Sequence, residues 1–189
     1  MTNRVFVITG AAGSGKTTVR NYLHDKFHMT KVITHTTRNP RDHEKDGVDY
    51  YFETKESFSK NHYLESVTYA GNFYGSSYEG LEEAWKKSPF ACIVLDTAGA
   101  ITYKEKLGDQ AVIIYLKVGD TTELRKRMEC RGDNSAMVAK RIQSKEYLRD
   151  LEMPVALEGK AYEIVNTDLQ KTQRKIDKVV TQYLTEPMG

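Results

Sequence analysis

Strand-length apolar runs alternate with helix-length amphipathic segments over much of the chain. Residues 4–9, 90–96 and 111–116 are almost wholly apolar, which is typical of strands buried on both faces of a parallel sheet. Shorter strands are predicted at residues 30–34 and 161–166, and helices at residues 17–26 and 169–184. The alternation predicts an α/β fold with a central parallel sheet flanked by helices.

Two segments interrupt this alternation. Residues 35–87 are rich in tyrosine, glycine and charge, and their short alternating runs at 49–52 and 63–70 indicate a small antiparallel α+β insertion. Residues 120–150 are highly charged with helical spacing, which predicts two or three helices broken at 132–134. We therefore expect a single domain over residues 1–189, with a core formed by 1–34, 88–119 and 151–189 and with two insertions that can move.

Composition narrows the function. Lys and Arg number 28 and Asp and Glu 26, so the net charge of +2 is too small for a general nucleic-acid binder. The sequence has no long apolar run, and its start leads directly into a strand, so we expect neither a membrane span nor a signal peptide. Cys92 and Cys130 lie far apart without metal-ligand spacing, which favours reduced thiols in a cytoplasmic protein.

The clearest motif is Gly10-Ala11-Ala12-Gly13-Ser14-Gly15-Lys16-Thr17, which fits G-x-x-x-x-G-K-[ST] between a predicted strand and a predicted helix. Glycines allow backbone N–H groups to converge on phosphate oxygens, and the helix N-terminus adds partial positive charge. Lys16 is expected to reach the β- and γ-phosphates of a nucleoside triphosphate, and the Thr17 hydroxyl to hold Mg²⁺. The motif predicts the phosphoryl donor but does not name the acceptor.

A second candidate site surrounds Pro40. Arg38 and Arg41 lie three residues apart, and guanidinium groups bind phosphate oxygens in a bidentate way. The hydroxyls of Tyr50 and Tyr74 can donate to the same phosphate. On these residues alone, a solvated charged loop beside core tyrosines is an equally good interpretation.

A family resemblance separates the two interpretations. The stretch from Thr34 to Arg41 (THTTRNPR), Glu44, residues 46–52 (DGVDYYF), Leu64-Glu65 and residues 71–76 (GNFYGS) together resemble the GMP-binding region of guanylate kinases. With the phosphate loop, the strand ending at Asp96, the Arg131/Arg141 segment and the run ending at Asn166, the resemblance spans nearly the whole chain. It implies a P-loop NTPase fold in which residues 35–87 bind GMP and residues 120–150 form a helical lid.

The resemblance also implies roles for individual residues. The GMP phosphate would be held by Arg38, Arg41, Tyr50 and Tyr74, and Asp96 would lie between the two nucleotides, with a contribution to the metal site through water. Thr34, Glu65 and Ser76 would bind the base. ATP would be bound by the whole loop from Gly10 to Thr17 together with Thr18 and Asn166.

Base chemistry supports guanine independently. Guanine presents N1–H and an N2 amino group on one edge, so the Glu65 carboxylate can accept from both, whereas adenine would leave it unpaired. The hydroxyls of Thr34 and Ser76 can donate to guanine O6, where adenine carries an amino group.

Arginines are expected to stabilise the charge of the transferred phosphoryl group. In the family, the lid supplies two such arginines, and the resemblance implies that these are Arg131 and Arg141. They would act together with Lys16 and Arg38 in catalysis. Other basic side chains in this segment are expected to form a solvated helix face, and these are Arg125, Arg127, Lys145 and Arg149. No general base is required, because the acceptor phosphate is ionised at neutral pH.

The sequence departs from the family at one position near the base. Guanylate kinases usually carry a second acidic residue two positions after Asp96, whereas Thr97-Ala98-Gly99 follows here. The carboxylate contact that this residue makes to the base or to a metal-bound water is therefore missing.

Three functions fit these observations. The first is transfer of the γ-phosphoryl group of ATP to GMP, with Mg²⁺ accompanying the ATP. Because dGMP carries the same base, we expect it to be an acceptor as well. The second is phosphoryl transfer to another nucleotide or to ribose bisphosphate, against which Glu65, Tyr74 and Ser76 argue. The third is a non-catalytic protein-interaction module, against which the intact Lys16 and Thr17 argue.

Overall fold

The computed structural model describes residues 2–40, 42, 44–69, 71–130 and 135–184. Two predicted site residues, Arg41 and Arg131, lie outside the described residues. The strands of this part of the chain are β1 (Arg4–Thr9), β2 (Thr30–Lys31), β3 (Thr34–Thr36), β4 (Tyr50–Phe52), β5 (Tyr63–Tyr69), β6 (Asn72–Ser77), β7 (Phe90–Val94), β8 (Ala111–Lys117) and β9 (Ala161–Val165). Its α-helices are α1 (Lys16–Phe27), α2 (Lys55–Phe58), α3 (Tyr78–Lys87), α4 (Thr97–Leu107), α5 (Thr121–Cys130), α6 (Ser135–Ile142), α7 (Lys145–Asp150) and α8 (Leu169–Leu184).

A five-stranded sheet in the order β2-β7-β1-β8-β9 forms the centre of the fold, and its neighbouring strands are all parallel. Alternate residues of β1 face opposite cores: Val5 and Val7 pack with α3 and α4, whereas Phe6 and Ile8 pack with α1 and α8. Both faces are therefore covered by helices, which is why the central strands are apolar at most positions. The predicted α/β fold with a central parallel sheet is confirmed.

A second sheet, in the order β4-β3-β6-β5, lies within the predicted first insertion. Its β3–β6 and β5–β6 pairs are antiparallel, as expected, but β3 and β4 run parallel, so the prediction of a purely antiparallel sheet was wrong. The thirteen-residue connection between β3 and β4 is long enough to reverse the chain direction twice, which a hairpin turn is not. Thr34, the last residue of the predicted core, begins this sheet.

Three helices, α5 to α7, form the charged segment between β8 and β9 among the described residues. Leu124, Met128, Val138 and Tyr147 from these helices share a buried cluster with Ala11 of the glycine-rich loop. The helical segment thus packs directly on the loop that the sequence predicts to bind phosphate.

Across residues 2–40, 42, 44–69, 71–130 and 135–184, no helix combines the length and the apolar character needed to cross a membrane.

Candidate active site

The glycine-rich loop joins the carboxyl end of β1 to α1, and its backbone conformation requires glycine. Gly10 has φ +128°, and a Cβ atom there would lie 2.4 Å from the carbonyl oxygen of Leu116. Gly15, at φ +94°, precedes α1, and a Cβ atom there would lie 2.4 Å from Nδ2 of Asn166. Any other residue would both strain the backbone and displace the strands behind the loop.

Lys16 is the first residue of α1, and its side chain turns back over the loop. Its Nζ atom donates to the carbonyl oxygens of Gly10 at 2.6 Å and of Ala11 at 2.8 Å. Thr17 and Thr18 follow on the exposed side of the helix N-terminus. An ammonium group and a helix N-terminus thus converge at the carboxyl end of the parallel sheet, an arrangement that attracts phosphate.

Asn166 supports this loop from behind. It is only 6% exposed, its Nδ2 donates to the carbonyl oxygen of Ser14 at 2.7 Å, and its Oδ1 accepts from the Thr172 hydroxyl at 2.9 Å. Its own carbonyl oxygen accepts from Arg127 at 3.0 Å. The side chain of Asn166 therefore holds the shape of the loop, whereas the resemblance implies contact with ATP.

Replacing Thr172 with valine should lower the free energy of unfolding by about 1–3 kcal/mol, because the fully buried Oδ1 atom of Asn166 would lose its hydrogen bond. Urea denaturation measures this loss. Thr181→Val, which removes an exposed hydroxyl that donates to the Asp177 carbonyl, is the matched control. Equal stability of the two variants would contradict the role assigned to Thr172.

Arg38 lies at the predicted acceptor site, where its NH2 atom donates to both carboxylate oxygens of Glu44 at 2.9 Å. Its guanidinium also lies over the ring of Tyr50, 5.5 Å from the centroid. Burial raises the pKa of the Tyr50 hydroxyl, although the Arg38 charge opposes that rise, so the hydroxyl keeps its proton and can donate. Tyr74 is a further electrostatic neighbour of Arg38.

A cleft of about 490 Å³ separates this cluster from the central sheet. Thr17 and Arg20 of α1 line one side, Thr34 and Tyr50 of the second sheet line another, and Ile93 of β7 contributes to the base. The cleft therefore brings Thr17 of the phosphate loop into one space with Tyr50, a predicted ligand of the acceptor phosphate, and with Glu44, the partner of Arg38.

Glu65 and Ser76 are directly opposite each other on the antiparallel strands β5 and β6. The Ser76 hydroxyl donates to Oε1 of Glu65 at 3.0 Å. Burial raises the pKa of the Glu65 carboxyl to about 7; the Ser76 hydrogen bond opposes this rise, and the charge of Asp96 adds to it. A buried carboxylate with an adjacent hydroxyl is suited to bind a ligand edge that offers two N–H donors.

Asp96 follows β7 and caps α4, where its Oδ1 accepts from the backbone N–H of Gly99 at 2.7 Å. Its Oδ2 accepts from NH2 of Arg149 at 2.8 Å. Arg149, predicted to lie on a solvated helix face, is exposed as expected, but it also pairs with this site carboxylate, which the sequence did not predict. Its position could not be found from the sequence, because the two residues are 53 positions apart.

The lid arginines are described only in part. Arg141 lies in the last turn of α6, a helix whose buried Val138 packs in the cluster that includes Ala11. Arg127, predicted to be solvated, donates to Asn166 and forms an ion pair with Glu123. Arg127 and Glu44 are thus contacts of the site that the interpretation of the sequence did not identify.

The oxygen atoms at the site match the chemistry of Mg²⁺, which prefers hydroxyl, carboxylate, phosphate and water ligands. Thr17 presents an exposed hydroxyl at the start of α1, and Asp96 presents a partly exposed carboxylate. Among the described residues, no group of three or more His, Cys, Asp or Glu side chains is arranged to bind a metal. The residues present therefore fit an ion that arrives with phosphate oxygens.

Comparison with known proteins agrees with this geometry. The sequence model of the family described as guanylate kinase matches residues 2–183. The guanylate kinase of Chlorobaculum tepidum is 31% identical over 190 residues, which cover 97% of this chain and 95% of that protein. The guanylate kinase of Latilactobacillus sakei is 33% identical over 197 residues, covering 99% and 94% respectively.

The crystal structure of guanylate kinase from Anaplasma phagocytophilum has a similar fold, with a TM-score of 0.66 and 25% sequence identity over 98% of this chain and 88% of that chain. The family match extends over the glycine-rich loop, the second sheet and the helical segment alike. This chain therefore belongs to the guanylate kinase family.

Proposed function

We propose that the protein is a guanylate kinase, which transfers the γ-phosphoryl group of ATP to GMP and gives ADP and GDP. The observation that carries this proposal is the partly buried Glu65–Ser76 pair on the second sheet, in a chain that also has an intact phosphate loop. The phosphate loop accounts for binding of the donor ATP, and the Glu65 carboxylate accounts for the choice of GMP as the acceptor. The same pair would accept dGMP, since the base edge is unchanged.

The loop binds the donor in this proposal. The backbone N–H groups from Gly10 to Thr17 and the positive end of α1 hold the phosphates of ATP, and Lys16 exchanges its two carbonyl partners for phosphate oxygens. Thr17 would hold Mg²⁺, with Asp96 contributing through water; when bound, the ion neutralises charge on the phosphates. Asn166 holds the loop through the Ser14 carbonyl oxygen, and its contact with ATP, which the resemblance implies, is part of this proposal.

The second sheet binds the acceptor. Arg38, Arg41, Tyr50 and Tyr74 hold the GMP phosphate, with Glu44 orienting the Arg38 guanidinium. Glu65 accepts from N1–H and the N2 amino group of guanine, and this contact separates guanine from adenine.

The reaction itself needs no proton acceptor. An oxygen of the GMP phosphate attacks the γ-phosphorus, and the bond from that phosphorus to the β-phosphate oxygen breaks as ADP leaves. The charge on the three equatorial oxygens is stabilised by Lys16 and by the lid arginines Arg131 and Arg141, which approach when the lid closes and water is expelled.

An ADP-release assay with GMP, dGMP, AMP, CMP, UMP and ribose bisphosphate as acceptors tests this function. We expect turnover with GMP and dGMP and at least about 10³-fold lower kcat/KM with AMP. Equal turnover of AMP and GMP would overturn the assignment of the base site, and turnover of ribose bisphosphate alone would establish a different acceptor. Absence of turnover with every acceptor would favour a non-catalytic binding module.

The KM for GMP should fall about twentyfold between pH 6 and pH 8, of which about tenfold comes from Glu65. The ionised carboxylate of Glu65 accepts both guanine donors, and with a pKa of about 7 its ionised fraction rises about tenfold over this interval. The same raised pKa means that ionisation of Glu65 opposes folding, so its contribution to stability is lost as pH rises from about 4.5 through about 7.

The matched control for this pH dependence is Glu65→Gln. The GMP phosphate has its own pKa near 6, which contributes about a twofold change over the same interval in both proteins. The amide variant should retain only that twofold change. A pH profile that is the same in both proteins would contradict a titrating Glu65 at the base site.

A further inference from the structure

Arg149 connects the helical segment to the carboxyl end of the central sheet. Its Nε donates to Oδ1 of Asp150 at 2.9 Å and to the hydroxyl of Thr97 at 3.1 Å, and its NH2 donates to Oδ2 of Asp96 at 2.8 Å. The Arg149 guanidinium is therefore held on two edges by different partners.

The partners on the Nε edge are fixed in the core. Thr97 is fully buried and Asp150 is 7% exposed. The Thr97 hydroxyl and the Thr97 backbone N–H both donate to Oδ1 of Asp150. The backbone carbonyl oxygen of Asp150 accepts from the Tyr115 hydroxyl at 3.0 Å. This end of α7 is thus anchored to the sheet, and Arg149 does not depend on lid closure for its position.

The partner on the NH2 edge is more accessible. The Asp96 side chain is 28% exposed and that of Arg149 38%, whereas the Asp150 side chain is 9% exposed. A partly solvated carboxylate is a weaker partner than a phosphate group of higher charge, so this edge can exchange its ligand while the Nε edge stays bound.

The pair lies beside the phosphate loop. Ile8 of β1 is opposite Val94 of β7, and the backbone N–H of Leu95 donates to the carbonyl oxygen of Ile8 at 3.1 Å. Asp96 follows Leu95 directly and Gly10 is two residues beyond Ile8, so the segments that carry Asp96 and the phosphate loop leave adjacent strands at the same end of the sheet. The carbonyl oxygen of Gly10 is also a partner of the Lys16 ammonium.

We propose that Arg149 is a further catalytic arginine of this reaction, whose NH2 edge leaves Asp96 and binds the phosphoryl group that is transferred. This inference rests on the proposed function. Asp96 keeps its hydrogen bond to Gly99 N–H during the exchange, so it stays in place. Because its Nε edge stays bound to Thr97 and Asp150, the guanidinium is positioned before lid closure and only its NH2 edge has to change partner.

The test compares three variants by steady-state kinetics and thermal unfolding. Arg149→Gln should lower kcat about 10²-fold, as expected for loss of one preorganised donor, while KM for ATP and for GMP stay within about threefold. Arg149→Lys keeps the charge but not the fork, so its kcat should lie between those of Arg149→Gln and the unaltered protein. Arg125→Gln removes an arginine from an exposed ion pair with Glu129 and should retain full kcat.

The outcomes separate a catalytic arginine from a structural tie. If the unaltered protein and Arg125→Gln phosphorylate GMP and Arg149→Gln has a kcat within threefold of theirs, the inference is wrong and the proposed function stands. If Arg149→Gln does not fold, the lysine variant decides, and a kcat equal to that of the unaltered protein would overturn the inference. If the unaltered protein itself does not phosphorylate GMP, both the proposed function and the inference fail.

Discussion

Replacing Lys16 with alanine is expected to lower kcat for GMP phosphorylation by about 10³-fold or more while leaving the fold intact. The Nζ atom of Lys16 lies against the carbonyl oxygens of Gly10 and Ala11, so the ammonium is held at the loop where the β- and γ-phosphates would bind. Charge that develops on the transferred group would lose this partner in the variant, and single charged donors to a transferring phosphoryl group contribute effects of this size.

The fold should tolerate the change because the Lys16 side chain is only partly buried, and water can replace it at the loop carbonyls. We expect the Tm to change by less than about 4 °C, which corresponds to about 1 kcal/mol in a chain of this size. Lys86→Ala, which removes an exposed ammonium paired with Glu83 on α3, is the control. Retained turnover in Lys16→Ala would show that the donor phosphates bind elsewhere.

The sequence predicted those parts of the fold in which one local requirement determines the structure. Strands β1, β7 and β8 are buried on both faces, so their inner positions must be apolar. Their predicted bounds differ from the observed ones by at most two residues. The bounds of α8 agree with the prediction, because its buried residues Ile176, Val179 and Val180 recur at helical spacing.

Partner choice between strands was not predictable in the same way. Residues 30–34 were predicted as one strand, but Thr30 and Lys31 pair with β7 of the central sheet, whereas Thr34 pairs with Tyr50 of the second sheet. Apolar character indicates that a segment is extended, but the identity of its neighbour depends on contacts with residues far away in sequence.

The site residues show the same difference between positions that local sequence determines and positions that distant contacts determine. Thr17 and Lys16 were predictable because a loop of fixed length carries them, and the opposed positions of Glu65 and Ser76 follow from one hairpin. The pairing of Arg149 with Asp96 depends instead on where separate elements pack, and that of Arg38 with Glu44 on the conformation of one long connection; residue spacing encodes neither.

Replacing Glu65 with alanine is expected to lower kcat/KM for GMP by about 10³-fold, mainly through KM, with AMP turnover unchanged or raised. The variant loses two hydrogen bonds to a buried charged acceptor, each contributing about 1.5–3 kcal/mol. Adenine has no donor at N1, so AMP forms no hydrogen bond there with Glu65. Removal of the carboxylate should therefore not lower AMP turnover. The preference for GMP over AMP should therefore fall by a similar factor.

Stability separates this effect from damage to the fold. Burial raises the pKa of Glu65 to about 7, so its ionised form costs folding free energy at pH 8, and removal of the carboxyl should leave the Tm unchanged or higher at that pH. Glu83→Ala, an exposed carboxylate on α3, is the control for kinetics and stability. If Glu65→Ala instead weakened GMP and AMP equally, the carboxylate would act on the shape of the cleft, and guanine would have to be selected by Thr34 and Ser76 alone.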